Sequence, residues 1–389
     1  MHIATELSAQ LNQLQQQNLL RKRRVFQPGA QQYSFAGNDY LGLSQHPLVL
    51  KAYADGLQLW GAGSGASPAV SGFQPPHAYL CRQLAEWLGR DDALLFSSGF
   101  SANHCTMRSL APMYSRVVVD KLSHASLLDG MTDATSSWKR FRHNNVQHAQ
   151  QLLPAKGTSL LVSESVFSMD GDQAPLAALA DLAAQATADL WIDDAHGLGV
   201  LGAEGCSAAG LFTQRQLPVI TATFGKGLGV MGAAIVGSSD LIAYLHTRGR
   251  EYIYSTAFSG AQAAAVSAAI GLAQGHEGQY LRARLAENID YFRSTCAQNN
   301  IALAPSDHAI QIVPIGSEQA ALTIGHLLAE QGIVVGVIRP PTVAKGSARL
   351  RITLSAQHAK ADIQRLIQGL NQALSQAVAQ EKSEEKACR

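Results

Sequence analysis

Short apolar runs alternate with helical periodicity through the middle of the chain. Residues 93–96, 116–120, 158–163, 189–193, 219–223 and 233–236 are rich in Val, Ile, Leu and Ala and predict buried strands. Between them, apolar residues recur at helical spacing over 101–110, 126–134 and 176–187. Ahead of these a helix is predicted from about Pro76, with Leu80, Leu84, Trp87 and Leu88 facing inward and Gly89 as its stop. Strands alternating with helices over short connections predict an α/β fold, its mostly parallel sheet covered by helices on both faces.

The pattern changes toward both ends. Leu7, Leu11, Leu14 and Leu20 stand among glutamines and predict a helix over 3–24 with one narrow apolar stripe. Its last turn is the basic run Arg21-Lys22-Arg23-Arg24, read as a solvated helix end favoured by the macrodipole. Residues 35–42 form a turn-rich link that includes Asn38, and 61–68 a flexible glycine-rich loop. A long helical pattern over 259–298 is interrupted at 275–278. Beyond it, strands at 310–315, 333–338 and 349–354 and helices at 318–331 and 359–378 predict a smaller α+β domain. The expected division is an N-terminal helix and arm (1–45), a large domain (46–279), a small domain (280–379) and a charged, disordered tail (380–389).

Composition narrows the partners. A chain of 389 residues exceeds one ordinary core, and 47% hydrophobic with 15% charged residues is globular. A formal net charge of +1 offers no field for nucleic acid. The five cysteines are scattered, with no Cys-x-x-Cys pair, which argues against a disulfide framework or zinc site and for a reducing cytoplasm. The N-terminal residues lack a signal pattern, and no apolar run reaches the roughly 18 residues of a membrane span.

In open α/β sheets ligands bind beyond the carboxyl ends of the strands, so the residues after each strand carry the candidate chemistry. The apolar run ending at Thr223 opens into Phe224-Gly225-Lys226-Gly227-Leu228-Gly229. A solvated lysine is the plain reading of Lys226. A lysine at a strand mouth between glycines also suits a nucleophilic amine that forms a Schiff base with a carbonyl cofactor. Ser97-Ser98-Gly99-Phe100 opens a helix whose free N–H groups suit a phosphate. His124 follows the strand 116–120, and Glu164 through Asp172, including Ser168, follow the strand 158–163. Asp193-Asp194-Ala195-His196 follows the next strand; Asp193 can hold a pyridine nitrogen protonated, with His196 reaching the ring oxygen. A metal site on Asp193 and His196 competes, but no further ligands lie at suitable spacing. Gly197-Leu198-Gly199-Val200-Leu201-Gly202 and Gly227-Leu228-Gly229-Val230-Met231-Gly232 match the dinucleotide fingerprint but open no predicted helix, and Gly225-Lys226 lacks the rest of a P-loop.

Taken in order, Ser97-Ser98-Gly99-Phe100, Ser123-His124-Ala125-Ser126, Phe167-Ser168-Met169-Asp170-Gly171-Asp172, Asp193-Asp194-Ala195-His196-Gly197 and Thr223-Phe224-Gly225-Lys226-Gly227 resemble the α-oxoamine synthase family of fold-type I pyridoxal-phosphate enzymes. The resemblance spans roughly residues 20–370. It implies a large pyridoxal-phosphate domain, a small domain built from the C-terminal part with the N-terminal segment, and a homodimer with sites at the subunit interface. It implies Lys226 as the Schiff-base lysine and proton shuttle, Asp193 at the pyridine nitrogen, His196 at the ring oxygen and His124 on the ring face. Gly99, Phe100 and Thr223 are implied at the phosphate, Ser255 and Thr256 at the partner's phosphate, and Ser168 lining the pocket. Arg351 is implied for the amino-acid carboxylate, and Arg21, Asn38, Glu164 and Thr342 for further substrate contacts.

Within the family, Ile338-Arg339-Pro340-Pro341-Thr342-Val343 and Ala348-Arg349-Leu350-Arg351 point to the branch of biotin biosynthesis. The implied substrates are L-alanine and a pimeloyl thioester on coenzyme A or an acyl-carrier protein, condensed with loss of CO2. Ala66, Pro68, Ala69, Ser165, Leu198 and Ala344 depart from common family residues, and none removes a group that the chemistry needs. The alternatives are a sister synthase using glycine or serine, an aminotransferase, and a non-catalytic carrier-protein-binding module of the same fold.

Overall fold

The structure, a computed structural model, describes residues 2–17, 19–21, 23, 25, 33–134 and 137–387. Its strands in chain order are β1 (Tyr33–Phe35), β2 (Asp92–Phe96), β3 (Arg116–Asp120), β4 (Trp138–Phe141), β5 (Ser159–Glu164) and β6 (Ala188–Asp193). There follow β7 (Val219–Thr223), β8 (Ala233–Gly237), β9 (Ile310–Gly316), β10 (Ile333–Ile338) and β11 (Ala348–Thr353). Contacts divide the chain into two units: residues 38–286 with 355–357, and residues 1–37, 287–354 and 358–389. The division falls inside the helix His276–Gln298, a few residues beyond the break expected at 279.

The larger unit holds a seven-stranded sheet in the order β2-β8-β7-β6-β5-β3-β4. The pairs from β7 to β4 are parallel, while β8 runs antiparallel to both β7 and β2. Every residue of β5, β7 and β8 is buried, and their centres are apolar, with polar Ser163, Glu164, Thr221 and Thr223 toward the carboxyl ends of β5 and β7. Trp191, Phe96, Val119, Val162 and Ile235 pack in one core cluster with Leu127 and Met131 of the helix Ala125–Ala134. The helix Pro75–Leu88 buries Leu80, Leu84, Trp87 and Leu88 as predicted and stops at Gly89, which takes the left-handed conformation (φ 60).

Two elements of this unit escape the periodicity. The helix Pro47–Trp60 packs on the helix Gly260–Gln274 through small residues: a Cβ on Gly56 would lie 2.6 Å from Ala261 Cα. Its larger apolar side chains, Leu50, Tyr53 and Leu57, share a face that stays exposed. The strand β4, Trp-Lys-Arg-Phe, carries two exposed charges because it is the sheet's edge.

The smaller unit holds a four-stranded sheet, β1-β10-β11-β9, in which β1 adds the N-terminal segment parallel to β10. Three expectations for this unit's ends are corrected. The first helix is His2–Gln16 rather than 3–24: the N–H groups of Leu19 and Leu20 turn back to the Leu14 carbonyl at 2.8 and 3.2 Å and close it. Arg21 is therefore not a helix end, and Lys22 and Arg24 lie outside the described residues. The last helix, Lys360–Ala387, continues through residues expected as a disordered tail, a stretch of good helix formers without Gly or Pro.

Candidate functional site

Three parallel strands end level with one another. Glu164 of β5 lies opposite Asp193 of β6, and Asp193 lies opposite Thr221 of β7. On the other side Thr223 of β7 lies opposite Ala233 of β8, which lies opposite Phe96 of β2. The turns leaving these strands open on one edge of the sheet.

The turn after β2 starts the helix Gly99–Leu110. Ser98 caps it by accepting from the Ser101 N–H at 3.1 Å, and the N–H groups of Gly99 and Phe100 have no intrahelical partner. A Cβ on Gly99 would stand 2.8 Å from Thr223 Cγ2, so glycine lets the helix start lie against the end of β7. Lys226, half-buried, sits in the connection from β7 to β8 with Nζ 3.4 Å from Thr223 Oγ1. Gly227 beside it meets the second glycine-rich turn: a Cβ there would lie 2.4 Å from the Leu198 carbonyl oxygen. The two fingerprint look-alikes thus serve the close approach of two loops.

Asp193 is 4% exposed. Its Oδ1 accepts from the Ala195 N–H at 3.0 Å and its Oδ2 from Asn103 Nδ2 at 2.6 Å; no ion pair joins it among the described residues. A buried carboxylate without a cation is costly, so a cationic ligand atom fits here. His196 is buried, with Nδ1 2.5 Å from the Tyr40 hydroxyl. His124 presents an exposed ring beside them. Partial burial lowers its pKa, Asp193 raises it and Lys226 lowers it. Burial pushes Glu164 above the usual carboxylate range, Asp193 adds to this, and the His124 N–H that Glu164 accepts at 2.5 Å opposes it with Lys226. Each of Glu164, Asp193, His124 and Lys226 thus feels the charge of its neighbours at the strand ends. An amine, a buried carboxylate, two imidazoles and an anion-binding helix start suit a ligand with a carbonyl, a basic ring nitrogen and a phosphate.

The remaining candidates are spread over both units. Phe100 lies edge-on to His124, with ring centroids 6.5 Å apart. Ser255 and Thr256, exposed after the helix Arg250–Ile253, line a recess with Phe96 and Ser97, and Ser67 Oγ ties the 61–68 loop to the Ile253 carbonyl at 2.7 Å. Asn38 Oδ1 accepts from the Tyr40 hydroxyl at 3.4 Å. Ser168 is half-buried in the turn between the bridged Val166 and Gln173. In the smaller unit, Arg21 Nη2 donates to Thr342 Oγ1 at 3.1 Å, and both border a groove lined by Leu20, Leu322, Val337 and Ile338. Arg351 is buried on β11, donating to Thr353 Oγ1 at 3.0 Å.

Sequence reasoning passed over Tyr40, Asn103, Thr221 and His143. A threonine on the buried face of β7, between Val219 and Thr223, was the available signal for Thr221. His143 braces the Ser168 turn, meeting Asp120 Oδ1 at 3.0 Å and Asp172 Oδ2 at 2.7 Å. Burial lowers its pKa, but the two carboxylates outweigh this and hold it at about 10, against 6.5 for an ordinary histidine. A raised pKa contributes stability fully present below pH 6.5 and lost as pH rises through about 10. Melting temperatures of wild type and His143→Gln should therefore converge between those limits, and a constant difference would count against the pair.

Comparison with known proteins returns the following. The family model described as aminotransferase class I and II matches residues 30–370. An 8-amino-7-oxononanoate synthase of Cronobacter sakazakii is 44% identical over 376 residues, covering 93% of this chain and 97% of that one. The solved structure of 8-amino-7-oxononanoate synthase from Francisella tularensis superposes with a TM-score of 0.76 at 26% identity, over 88% of this chain and 98% of that one. A serine palmitoyltransferase from S. paucimobilis holding PLP superposes with a TM-score of 0.89 over 96% and 98%; at 24% identity it speaks to the fold alone.

Proposed function

The chain belongs to the aminotransferase class I and II family, and on that premise we propose that it condenses L-alanine with a pimeloyl thioester. The products are 8-amino-7-oxononanoate, CO2 and the free thiol, in biotin biosynthesis. The cofactor is pyridoxal 5′-phosphate. The observation that carries the reading is the crevice itself: a buried Asp193 carboxylate with no ion-pair partner among the described residues, Lys226 on the next strand's turn, and His124 and Glu164 beside them. A relative named 8-amino-7-oxononanoate synthase, 44% identical over 97% of its length, supports this choice of substrates.

When bound, pyridoxal phosphate supplies an electron sink that eases loss of the amino acid's Cα proton. The protein's own groups do the rest. Lys226 would hold the cofactor by its carbonyl carbon until the amine of alanine displaces it, and the freed Nζ would then take and return the Cα proton. Asp193 would keep the ring nitrogen protonated, His196 would hydrogen-bond the ring oxygen, and His124 would cover the ring face. The N–H groups of Gly99 and Phe100, with Thr223, would hold the phosphate together with Ser255 and Thr256 of a second subunit, and Ser168 would line the pocket. Arg351, whose planar fork matches a carboxylate, orients alanine. Arg21, Thr342, Asn38 and Glu164 take the remaining substrate contacts.

A homodimer is supported by the exposed apolar face of Leu50, Tyr53 and Leu57, an unusual surface for a monomer. A cytoplasmic setting is supported by the free thiols of Cys81, Cys105, Cys206 and Cys296. Among the described residues no helix is long and apolar enough to cross a membrane, and no cluster of three or more His, Cys, Asp or Glu is placed to hold a metal ion.

The test is CO2 release with alanine and pimeloyl-CoA or pimeloyl-acyl-carrier protein, run beside glycine with acetyl-CoA. Faster turnover of alanine with the pimeloyl thioester is the expected result. Preference for glycine would move the chain to a sister reaction, and accumulation of the pyridoxamine form with alanine alone would make it an aminotransferase.

A further inference from the structure

We infer that Asn103 is a positioning residue whose single amide both aims the Asp193 carboxylate and fixes the His124 ring proton on Nε2. The inference rests on the reading that Asp193 and His124 flank the bound cofactor, and it follows from the direction of one buried hydrogen-bond chain.

The chain starts at Trp191, whose indole can only donate. Its Nε1–H points to Thr221 Oγ1 at 2.9 Å. The Thr221 hydroxyl, already accepting, spends its own proton on Asn103 Oδ1 at 2.7 Å. The Asp193 carboxylate only accepts, so the amide end facing it is NH2 and the end facing Thr221 is oxygen. The Asn103 Nδ2 then faces Asp193 Oδ2 at 2.6 Å and Ser126 Oγ at 3.0 Å, and its two N–H bonds serve one each. Ser126, accepting from Asn103, turns its hydroxyl proton to His124 Nδ1 at 2.8 Å. The backbone N–H of Ser126 faces the same nitrogen at 3.3 Å. With two donors aimed at it, Nδ1 is an acceptor, and the ring proton sits on Nε2.

Trp191, Asn103, Ser126, Thr221 and Asp193 are all buried, so water does not compete for these bonds. Trp191 and Thr221 belong to neighbouring strands, Asn103 to the helix that starts at the phosphate turn, and Ser126 to the next helix. One amide therefore couples two cofactor contacts, and Thr221 holds its oxygen end.

Two substitutions separate the branches without touching Asp193 or His124. Ser126→Ala removes the hydroxyl donor at 2.8 Å from His124 Nδ1 and leaves only the longer backbone N–H at 3.3 Å. Thr221→Val keeps the shape of the side chain but removes the hydroxyl that holds the amide oxygen. The experiment is nitrogen NMR of histidine-labelled protein, with and without pyridoxal phosphate, together with the absorbance of the bound cofactor and kcat. Wild type should show His124 protonated on Nε2. Ser126→Ala should redistribute that proton while leaving the cofactor absorbance unchanged. Thr221→Val should change both and lower kcat on the order of 10- to 100-fold, the usual loss when the partner behind a metal-binding residue is removed. An Nδ1 proton in wild type would overturn the inference, and so would a Thr221→Val protein that folds, binds cofactor and matches wild type in tautomer, absorbance and kcat. The tautomer is read whether or not the cofactor binds, whereas the functional reading stands or falls on wild-type CO2 release, so the two failures are distinguishable.

Discussion

Replacing Lys226 by alanine should lower alanine-dependent CO2 release by about 10⁴-fold or more. Two tasks disappear with the amine. General acid–base catalysis by a positioned side chain is worth roughly 10²–10⁴-fold, and the covalent hold on the cofactor is lost as well. The fold should survive, because Lys226 is half-buried in a turn whose shape is set by Gly227 and Gly229 rather than by the lysine side chain. Circular dichroism and melting temperature check this. Borohydride reduction of wild type with pyridoxal phosphate, then peptide mapping, should place the adduct on Lys226. Turnover by Lys226→Ala within tenfold of wild type, or an adduct on another lysine, would remove this residue from the chemistry.

Asp193→Asn should be the next most damaging change, lowering kcat on the order of 10²–10³-fold, as expected when a preorganised electrostatic partner is lost. The substitution keeps the shape and removes the charge. An opposite charge within about 4–6 Å shifts a pKa by roughly 1–3 units, so a ring nitrogen beside asparagine no longer holds its proton. The neighbours also object. Asp193 accepts from Ala195 N–H on one oxygen and Asn103 Nδ2 on the other, so any asparagine rotamer sets an NH2 against a donor. One unmatched buried polar group costs about 1–3 kcal/mol. Weaker cofactor binding, a changed cofactor spectrum and a lower kcat should appear together. A drop in melting temperature with kcat intact would assign Asp193 a structural role only.

Which features could be read from the sequence follows from where each residue's information lies. Strands buried on both faces announce themselves, and β5, β7 and β8 needed nothing beyond their runs of Val, Ile, Leu and Ala. The helix Pro47–Trp60 did not, because it docks through Gly56 and keeps an outward apolar face, the reverse of the stripe that periodicity seeks. Lys226, Asp193, His196 and His124 were legible because strand-end position is a local property. Asn103 and Thr221 sit inside their elements, and their meaning depends on partners up to 118 residues away in the chain. Tyr40 reaches His196 across 156 residues, which no spacing rule connects.

The position of β2 has a consequence for how the molecule is made. This strand leads into the Gly99 turn, yet it lies at the sheet's border and, among the described residues, pairs with β8 alone, so Phe96 pairs with Ala233. During synthesis the phosphate-binding turn therefore waits for some 140 later residues to leave the ribosome before its backbone is anchored, the kind of distant pairing that slows folding. Nascent chains stalled before residue 233 should leave β2 open to proteolysis, and chains released beyond residue 237 should protect it.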